Sequence, residues 1–403
     1  MRVILGIVVF ILFISPKIDI IDIENFNAGL RFDDFILLIT LVYLASVSLI
    51  SPVKNFTISS FEVRYFVFIA IMLVGTVYGN YMYDRGSLLF PIRFVEYFVF
   101  FYLGRKYFVQ GFSFENLWLA VFWTNLIVAS GQSFGIIGGY TVRGLQSDVS
   151  ERIVGIYSGP WELGVILNFI SIMALTSLNV DRWLRLFVVG VSTVLILNTG
   201  SRMAFLAQII MIVFYLGVGV SVKVLLRRSF AAILVMVLLY VSLADSVVTE
   251  RSENLFNIEN INTFYRYYNY VEIQEVPPSW AELGNLEGGS LDYSWRERGV
   301  KWIFAMKLAL SSYFYILFGV GAGAFGNALD GGWLRITCEM GLSGLVAFLF
   351  FMCRAYNLCV RSKLMVIVIF VNMLMIDIYM AYKVMAFMLF YFGYSYERNR
   401  SMV

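Results

Sequence analysis

Four arginines, Arg143, Arg152, Arg202 and Arg298, stand beside or between long apolar runs. A guanidinium is permanently charged and presents a planar fork of donors suited to phosphate oxygens. Arg202 follows Thr199-Gly200-Ser201 at the start of an apolar run, where helix-start amides add positive character, so the turn reads as an anion seat. Its plain alternative is an interfacial arginine reaching into headgroups. Arg152 lies in the glycine-rich stretch Glu151-Arg152-Ile153-Val154-Gly155-Ile156-Tyr157-Ser158-Gly159-Pro160, closed by proline at a helix start, with a simple connecting loop as the alternative. Arg298 and Trp302 share a helical face, so the arginine can close over a phosphate with the indole packed below. The amphipathic stretch that carries them through Leu310 can equally lie on a membrane surface. The chain contains no His. That removes the usual general base, any His-ligated metal and every Ser-His or Cys-His mechanism, leaving acid–base work to Asp, Glu, Lys or Tyr.

Composition sets what must position these residues. Of 403 residues 60% are hydrophobic and 14% charged, against roughly 25% charged in ordinary globular domains; mean hydropathy is +0.79. This predicts an all-α polytopic membrane protein forming one integral membrane domain over residues 1–403. Apolar runs bounded by charge, Gly or Pro predict about twelve transmembrane helices. They fall near 3–18, 34–51, 63–79, 88–104, 116–138, 161–178, 184–199, 202–219, 229–245, 333–353, 363–379 and 382–396. Arg2, Lys54 with Arg64, Arg105 with Lys106, Arg182 with Arg185, Arg227 with Arg228, Arg354 with Arg361, and Arg398 with Arg400 alternate onto one side. The positive-inside rule makes that side cytoplasmic, together with both termini. It leaves residues 245–332 as one long extracytoplasmic loop, with shorter outer loops at 16–33, 80–87 and 139–160. No cleavable signal is expected, because no small-residue site follows the first apolar run. The net charge of +3 is not a nucleic-acid signal, and Cys338, Cys353 and Cys359 have no metal-ligand spacing.

Several ionisable residues fall near the outer helix ends: Arg93, Glu96, Glu162, Arg202, Glu339 and Asp377. Charges inside apolar segments are costly and point to function, although Arg93 and Glu96, one turn apart, also suit a structural ion pair. Asp33 and Asp34 read as caps of a helix start, with no metal implied. Asp330 is a cap candidate where the chain re-enters the membrane, with Glu339 about two and a half turns deeper. Gly319-Val320-Gly321-Ala322-Gly323 lacks the strand context of a nucleotide fingerprint and reads as a tight backbone passage. The long loop mixes Arg266, Arg296 and Tyr265 with acidic groups and Trp295, the mixture of a surface that holds a polar, sugar-like ligand.

Four motifs in this order and spacing resemble the bacterial O-antigen polymerase and ligase superfamily, specifically its Wzy-type polymerases. They are Ser201-Arg202 with Leu206, Arg152 with Gly155 and Pro160, Arg298 with Trp302 and Gly319-Val320-Gly321, and Asp330 with Leu334, Glu339, Gly341 and Gly344. The resemblance implies a GT-C-like helical glycosyltransferase at the outer face of the bacterial inner membrane. It would join undecaprenyl-pyrophosphate-linked oligosaccharide repeat units and release undecaprenyl pyrophosphate, with no cofactor and no metal. The partners implied are those lipid-linked glycans, the bilayer, a chain-length regulator and a flippase. On this resemblance Arg202 and Arg298 stabilise the departing pyrophosphate, supported by Arg143 and Arg152, while Asp330 or Glu339 takes the acceptor's proton. Arg296, Arg266, Tyr265 and Trp302 would contact substrate. Ligases of the superfamily usually carry His where this chain has Asp330, which favours a polymerase. An O-antigen ligase is the near alternative, and a lipid-linked oligosaccharide transporter the alternative of another class.

Overall fold

Apolar runs of roughly 13 to 25 residues with few Gly or Pro inside them leave the backbone one economical way to satisfy its own polar groups, the helix. The computed structural model describes residues 2–16, 19–21, 30–50, 59–83, 86–141, 144–146, 152–217, 224, 268, 271, 293–326 and 329–402. About 80% of it is helical. Before the long segment come α1 (Arg2–Ile14), α2 (Phe32–Ile50), α3 (Ser60–Tyr83), α4 (Leu89–Val109), α5 (Phe114–Ser133), α6 (Pro160–Thr176), α7 (Arg182–Asn198) and α8 (Arg202–Gly217). After it come α9 (Tyr293–Ala309), α10 (Tyr313–Phe318), α11 (Gly332–Tyr356), α12 (Val360–Asn372) and α13 (Tyr382–Met402), with a 3-10 turn at Ile378–Met380. Two short antiparallel hairpins, Asp19–Ile21 with Leu30–Arg31 and Gly139–Thr141 with Gly144–Gln146, sit in connecting loops and leave the all-α class unchanged.

Helix starts follow local chemistry. The Ser113 hydroxyl accepts from the Glu115 amide to cap α5, and the Asp181 carboxylate accepts from Trp183 and Leu184 to cap α7. Pro160 at the first turn of α6 gives up an amide that has no helical partner there. The sequence-predicted helix at 363–379 ends earlier than expected, at Asn372; Asp377 therefore sits in a turn and not at a helix end. The predicted helix at 116–138 stops at Ser133, where Gly135 turns the chain with φ +69. The predicted helix at 229–245 lies outside the described residues. Among the described residues, Ser60–Met82 and Gly332–Tyr356 are long and apolar enough to cross a membrane.

The core is aromatic. Phe61 and Phe98 stack on either side of Phe101, with centroids 4.7 and 5.2 Å from it. The helices α4 and α13 run parallel, Tyr97 beside Tyr382 at 5.7 Å near their starts and Arg105 on Glu397 at 2.8 Å near their ends. They touch backbone to backbone where Gly104 faces the Phe390 carbonyl and Gly393 the Phe101 carbonyl, leaving no room for a side chain at either position.

Charges sort to the two ends of this bundle. At one end Glu62, which begins α3, joins Arg105 (3.5 Å), and Arg105 joins Glu397. At the other end, the beginnings of α2, α4, α6 and α13 meet. Asp33 pairs with Lys383 at 3.1 Å, Asp34 with Arg93 at 3.1 Å, and Arg93 also with Glu96 at 3.5 Å. The pairing of Arg93 with Glu96 is thus observed, with Asp34 as a third member. Asp33 and Asp34 are not simple caps: α2 begins at Phe32, both carboxylates lie inside its first turn, and each is committed to a cation on another helix.

Candidate functional site

The site is built on an interruption in α11. Gly341 has φ 68 and ψ −174, which no helical residue adopts, so α11 is two helical pieces joined across a kink. The break frees the carbonyls of Cys338 and Glu339, and each finds an amide elsewhere, from Val320 at 3.0 Å and from Gly321 at 3.0 Å. Ala322 donates its amide to the Thr76 hydroxyl of α3 (3.1 Å) and accepts from Ser87 before α4 (2.7 Å). The segment 319–323 is therefore the tight backbone passage its glycines predict, clamped by α11, α3 and the turn before α4. A Cβ on Gly319 would fall on the backbone of Glu339 and Met340, and one on Gly341 on the backbone of Leu317.

Above the break lies Arg335, which has no exposed side-chain surface. It forms ion pairs with Glu339 at 3.1 Å and Asp377 at 2.8 Å, and it donates to the Gly326 carbonyl. Asp377 does more than neutralise it. Oδ2 accepts the amides of Leu329 (2.7 Å) and Asp330 (3.2 Å), and Oδ1 that of Gly331 (3.0 Å). One carboxylate from the turn after α12 thus fixes three consecutive amides of the segment that enters α11. Charge-assisted bonds of this kind are among the strongest available to a loop.

That segment presents Asp330 in a left-handed conformation, φ 58, the one positive-φ residue other than glycine among the described residues. Such strain persists only where surrounding contacts enforce it, and Asp377 supplies them. The Asp330 side chain turns to Arg298, Nε to Oδ2 at 3.1 Å, with 20% of the arginine and 35% of the aspartate side chain exposed. One turn on, the Trp302 indole donates to the Leu329 carbonyl at 2.9 Å. Arg298 and Trp302 therefore share a face of α9, and that face is directed at the 329–331 segment. Two expectations are corrected here. Asp330 does not cap α11, whose N-cap is Gly331 with no side-chain hydrogen bond. Nor does α9 rest its apolar face on a membrane surface: Val300, Ile303, Phe304 and Leu308 are buried in a cluster with Val320, Phe325 and Leu329.

A second group of sequence-predicted residues comes together beside α6 and α8. Arg152 donates from Nε to the Thr199 carbonyl at 2.8 Å, and the Ile153 amide reaches Asn198 at 3.3 Å, so the glycine-rich loop lies on the turn that leads to half-buried Arg202. Gln132 holds this loop by its backbone, accepting from Val154 (3.1 Å) and Gly155 (2.8 Å) and donating to the Gly155 carbonyl (2.9 Å). The Tyr157 hydroxyl receives the Asn125 amide at 3.0 Å. Burial raises its pKa above the usual phenol range, so it is a neutral anchor and not a base. Glu162 connects this group to the rest: Oε2 accepts from Ser158 (2.8 Å from the hydroxyl), and Oε1 from the Lys383 amide (3.2 Å). The Lys383 ammonium, almost wholly buried, also donates to the Leu12 carbonyl (2.6 Å) and the Ser15 hydroxyl (3.1 Å).

Of the candidates from sequence, Asp330, Arg298, Trp302 and Glu339 fall in one cluster, and Arg152 and Arg202 in a second at the same end of the bundle. Arg143, Tyr265 and Arg266 lie outside the described residues; Arg296 falls within α9, but its side chain lies outside them. Sequence reasoning passed over Arg335, Lys383 and Gln132. For Arg335 a signal existed, since an arginine four residues before Glu339 in an apolar run suits an ion pair. No protein-family model and no curated protein matches the chain. The chemistry of the site therefore rests on its geometry: a partly exposed carboxylate held by an arginine over a fixed floor, and a second arginine at a helix start.

Proposed function

We propose that the chain is a multi-pass membrane glycosyltransferase of the polymerase type, with about twelve spans and both termini in the cytoplasm. It would join lipid-pyrophosphate-linked oligosaccharide repeat units on the outer side of a bacterial inner membrane. The observation that carries the reading is the pair of arginine stations at one end of a helical bundle, Arg298 on the partly exposed Asp330 and Arg202 on the turn held by Arg152. A bilayer setting is supported by apolar side chains that point outward, among them Ile39 on α2, Val74 on α3, Ile127 on α5 and Val346 on α11. Such surfaces need lipid or another protein against them.

In the reaction Asp330 takes the proton of the acceptor hydroxyl, and the oxygen attacks the anomeric carbon of the donor. The bond from that carbon to the phosphate oxygen breaks, and the pyrophosphate leaves with both bonding electrons, its charge held by Arg298 and Arg202. Arg298 exchanges Asp330 for phosphate in this step, which frees the carboxylate when a base is needed. Glu339 is the weaker candidate because it has no exposed side-chain surface and faces Arg335.

Arg202→Ala and Arg298→Ala are expected to lower chain lengthening by about 100-fold or more, with the protein still present in the membrane. A wild-type polysaccharide ladder from either strain would remove that arginine from the mechanism. Asp330→Asn keeps a residue that tolerates left-handed backbone, so it should fold and be nearly inactive; full activity would move the base to Glu339. A second reading follows from the interrupted helix itself. A broken α11 beside a buried Arg335, Glu339 and Asp377 is the form taken by many transport sites. Proteoliposomes that move the lipid-linked repeat across the bilayer without lengthening it would establish that reading instead.

A further inference from the structure

At the end of the bundle that carries Arg105 and Glu397, a cavity of about 410 Å³ opens between the last turn of α11, the turn after it and the end of α13. It is lined by Arg354, Asn357, Leu358, Tyr396, Asn399 and Arg400. Two cations line it and no carboxylate does. The nearby Glu397 is already held by Arg105 at 2.8 Å. The Arg354 Nε is buried with no hydrogen-bond partner among the described residues, so the guanidinium carries its charge with little internal compensation. The wall is fixed in place: Asn357 donates to the Cys353 carbonyl and Asn399 to the Leu358 carbonyl, both at 2.9 Å.

What leads to the cavity is apolar. Leu342, Val346 and Phe350 stand four residues apart along α11, 45%, 65% and 53% exposed, and the next member of that row is Arg354. Rows of residues four apart form a continuous ridge on a helix surface. An apolar ridge that ends in two guanidiniums matches a molecule with a hydrocarbon tail and a phosphate head. Arg64 adds a third cation beside the ridge, its guanidinium 3.8 Å over the Phe350 ring.

We infer that this cavity is a binding site for the phosphate of an anionic phospholipid, its headgroup between Arg354 and Arg400 and its acyl chain along Phe350, Val346 and Leu342. The inference rests on the bilayer setting of α11 and is independent of the transferase reading. Guanidinium forks recognise phosphate in two-pronged fashion, and the cavity falls in the usual size range of ligand sites. The positive-inside pattern places the site at the leaflet where anionic lipid concentrates.

The test is thermal unfolding of the full detergent-solubilised chain with phosphatidylglycerol, with phosphatidylcholine, or with inorganic phosphate at matched concentration. Phosphatidylglycerol is expected to raise the midpoint by about 2–4 °C over phosphatidylcholine. The variant R354Q/R400Q should lose that increment, whereas Lys363→Gln, a nearby cation outside the cavity that lies over the Tyr356 ring, should keep it. Equal midpoints in the two lipids would overturn the site, as would an increment that survives R354Q/R400Q. Equal loss in Lys363→Gln would reduce it to bulk charge. An equal rise with inorganic phosphate would overturn the lipid as ligand in favour of a soluble anion.

Discussion

Arg335→Met is expected to leave little folded protein. The substitution removes one cation from two carboxylates: Glu339, with no exposed side-chain surface, is stranded, and Asp377, almost as deeply buried, keeps only the amides of 329–331. Breaking a buried pair from one side costs about 3–5 kcal/mol, because an uncompensated charge stays in a low-dielectric setting. That is a large share of the 5–15 kcal/mol that holds a typical domain together. Glu339→Gln should be milder, since Arg335 keeps Asp377 and the Gly326 carbonyl. The two effects separate in a melt of the solubilised protein monitored by size exclusion. A midpoint for Arg335→Met equal to that of Glu339→Gln would mean that the arginine is not the keystone of this end of the bundle.

Gly341→Ala is the second large effect, and its origin is steric. The added methyl would lie on the Leu317 backbone and near the Phe318 nitrogen, and backbone cannot rotate away as a side chain can. The combination of φ 68 and ψ −174 lies in a region essentially restricted to glycine and adds strain of about 1–3 kcal/mol for any residue with a Cβ. Gly135→Ala is the control for positive φ without the backbone clash, because Gly135 has φ 69 and open space where a Cβ would go. Gly135→Ala should therefore cost about 1–2 kcal/mol and leave the protein assembled, whereas Gly341→Ala should separate α10 from α11 and release the amides of Val320 and Gly321. Comparable melts for the two variants would mean that the close approach of the two backbones is not required.

The fold was readable where the signal was local. Apolar runs and a proline at the first turn of α6 place helices in sequence, and the glycines of 319–323 announce a backbone passage. Residues chosen for their chemistry also converge: Arg298, Trp302, Asp330 and Glu339 meet, and Arg152 reaches the turn that carries Arg202. What sequence did not disclose is pairing across the bundle. Asp33 and Asp34 have the pattern of helix caps, and nothing local tells a cap from a carboxylate awaiting Lys383 or Arg93. Asp377 looked like a residue at a helix end because its apolar neighbours continue the pattern of α12. Only the tertiary arrangement shows its oxygens filled by the amides of 329–331. Asp330 has the sequence pattern of a cap for a similar reason: an aspartate before a helix usually is one, and the left-handed backbone held by Asp377 is a tertiary effect.

The distribution of those partners along the chain has a consequence for biosynthesis. The ribosome completes α2, α4 and α11 before it reaches Asp377, Lys383 and Glu397. Asp34 finds Arg93 early, but Asp33 waits for Lys383, Arg335 for Asp377, and Arg105 for Glu397. Until α13 arrives, the nascent protein carries incomplete charge pairs in helices already made, and each such charge is costly while it lacks its partner. The stretch from Asp377 to Glu397 thus supplies the late partner of three charge pairs begun on helices made long before it.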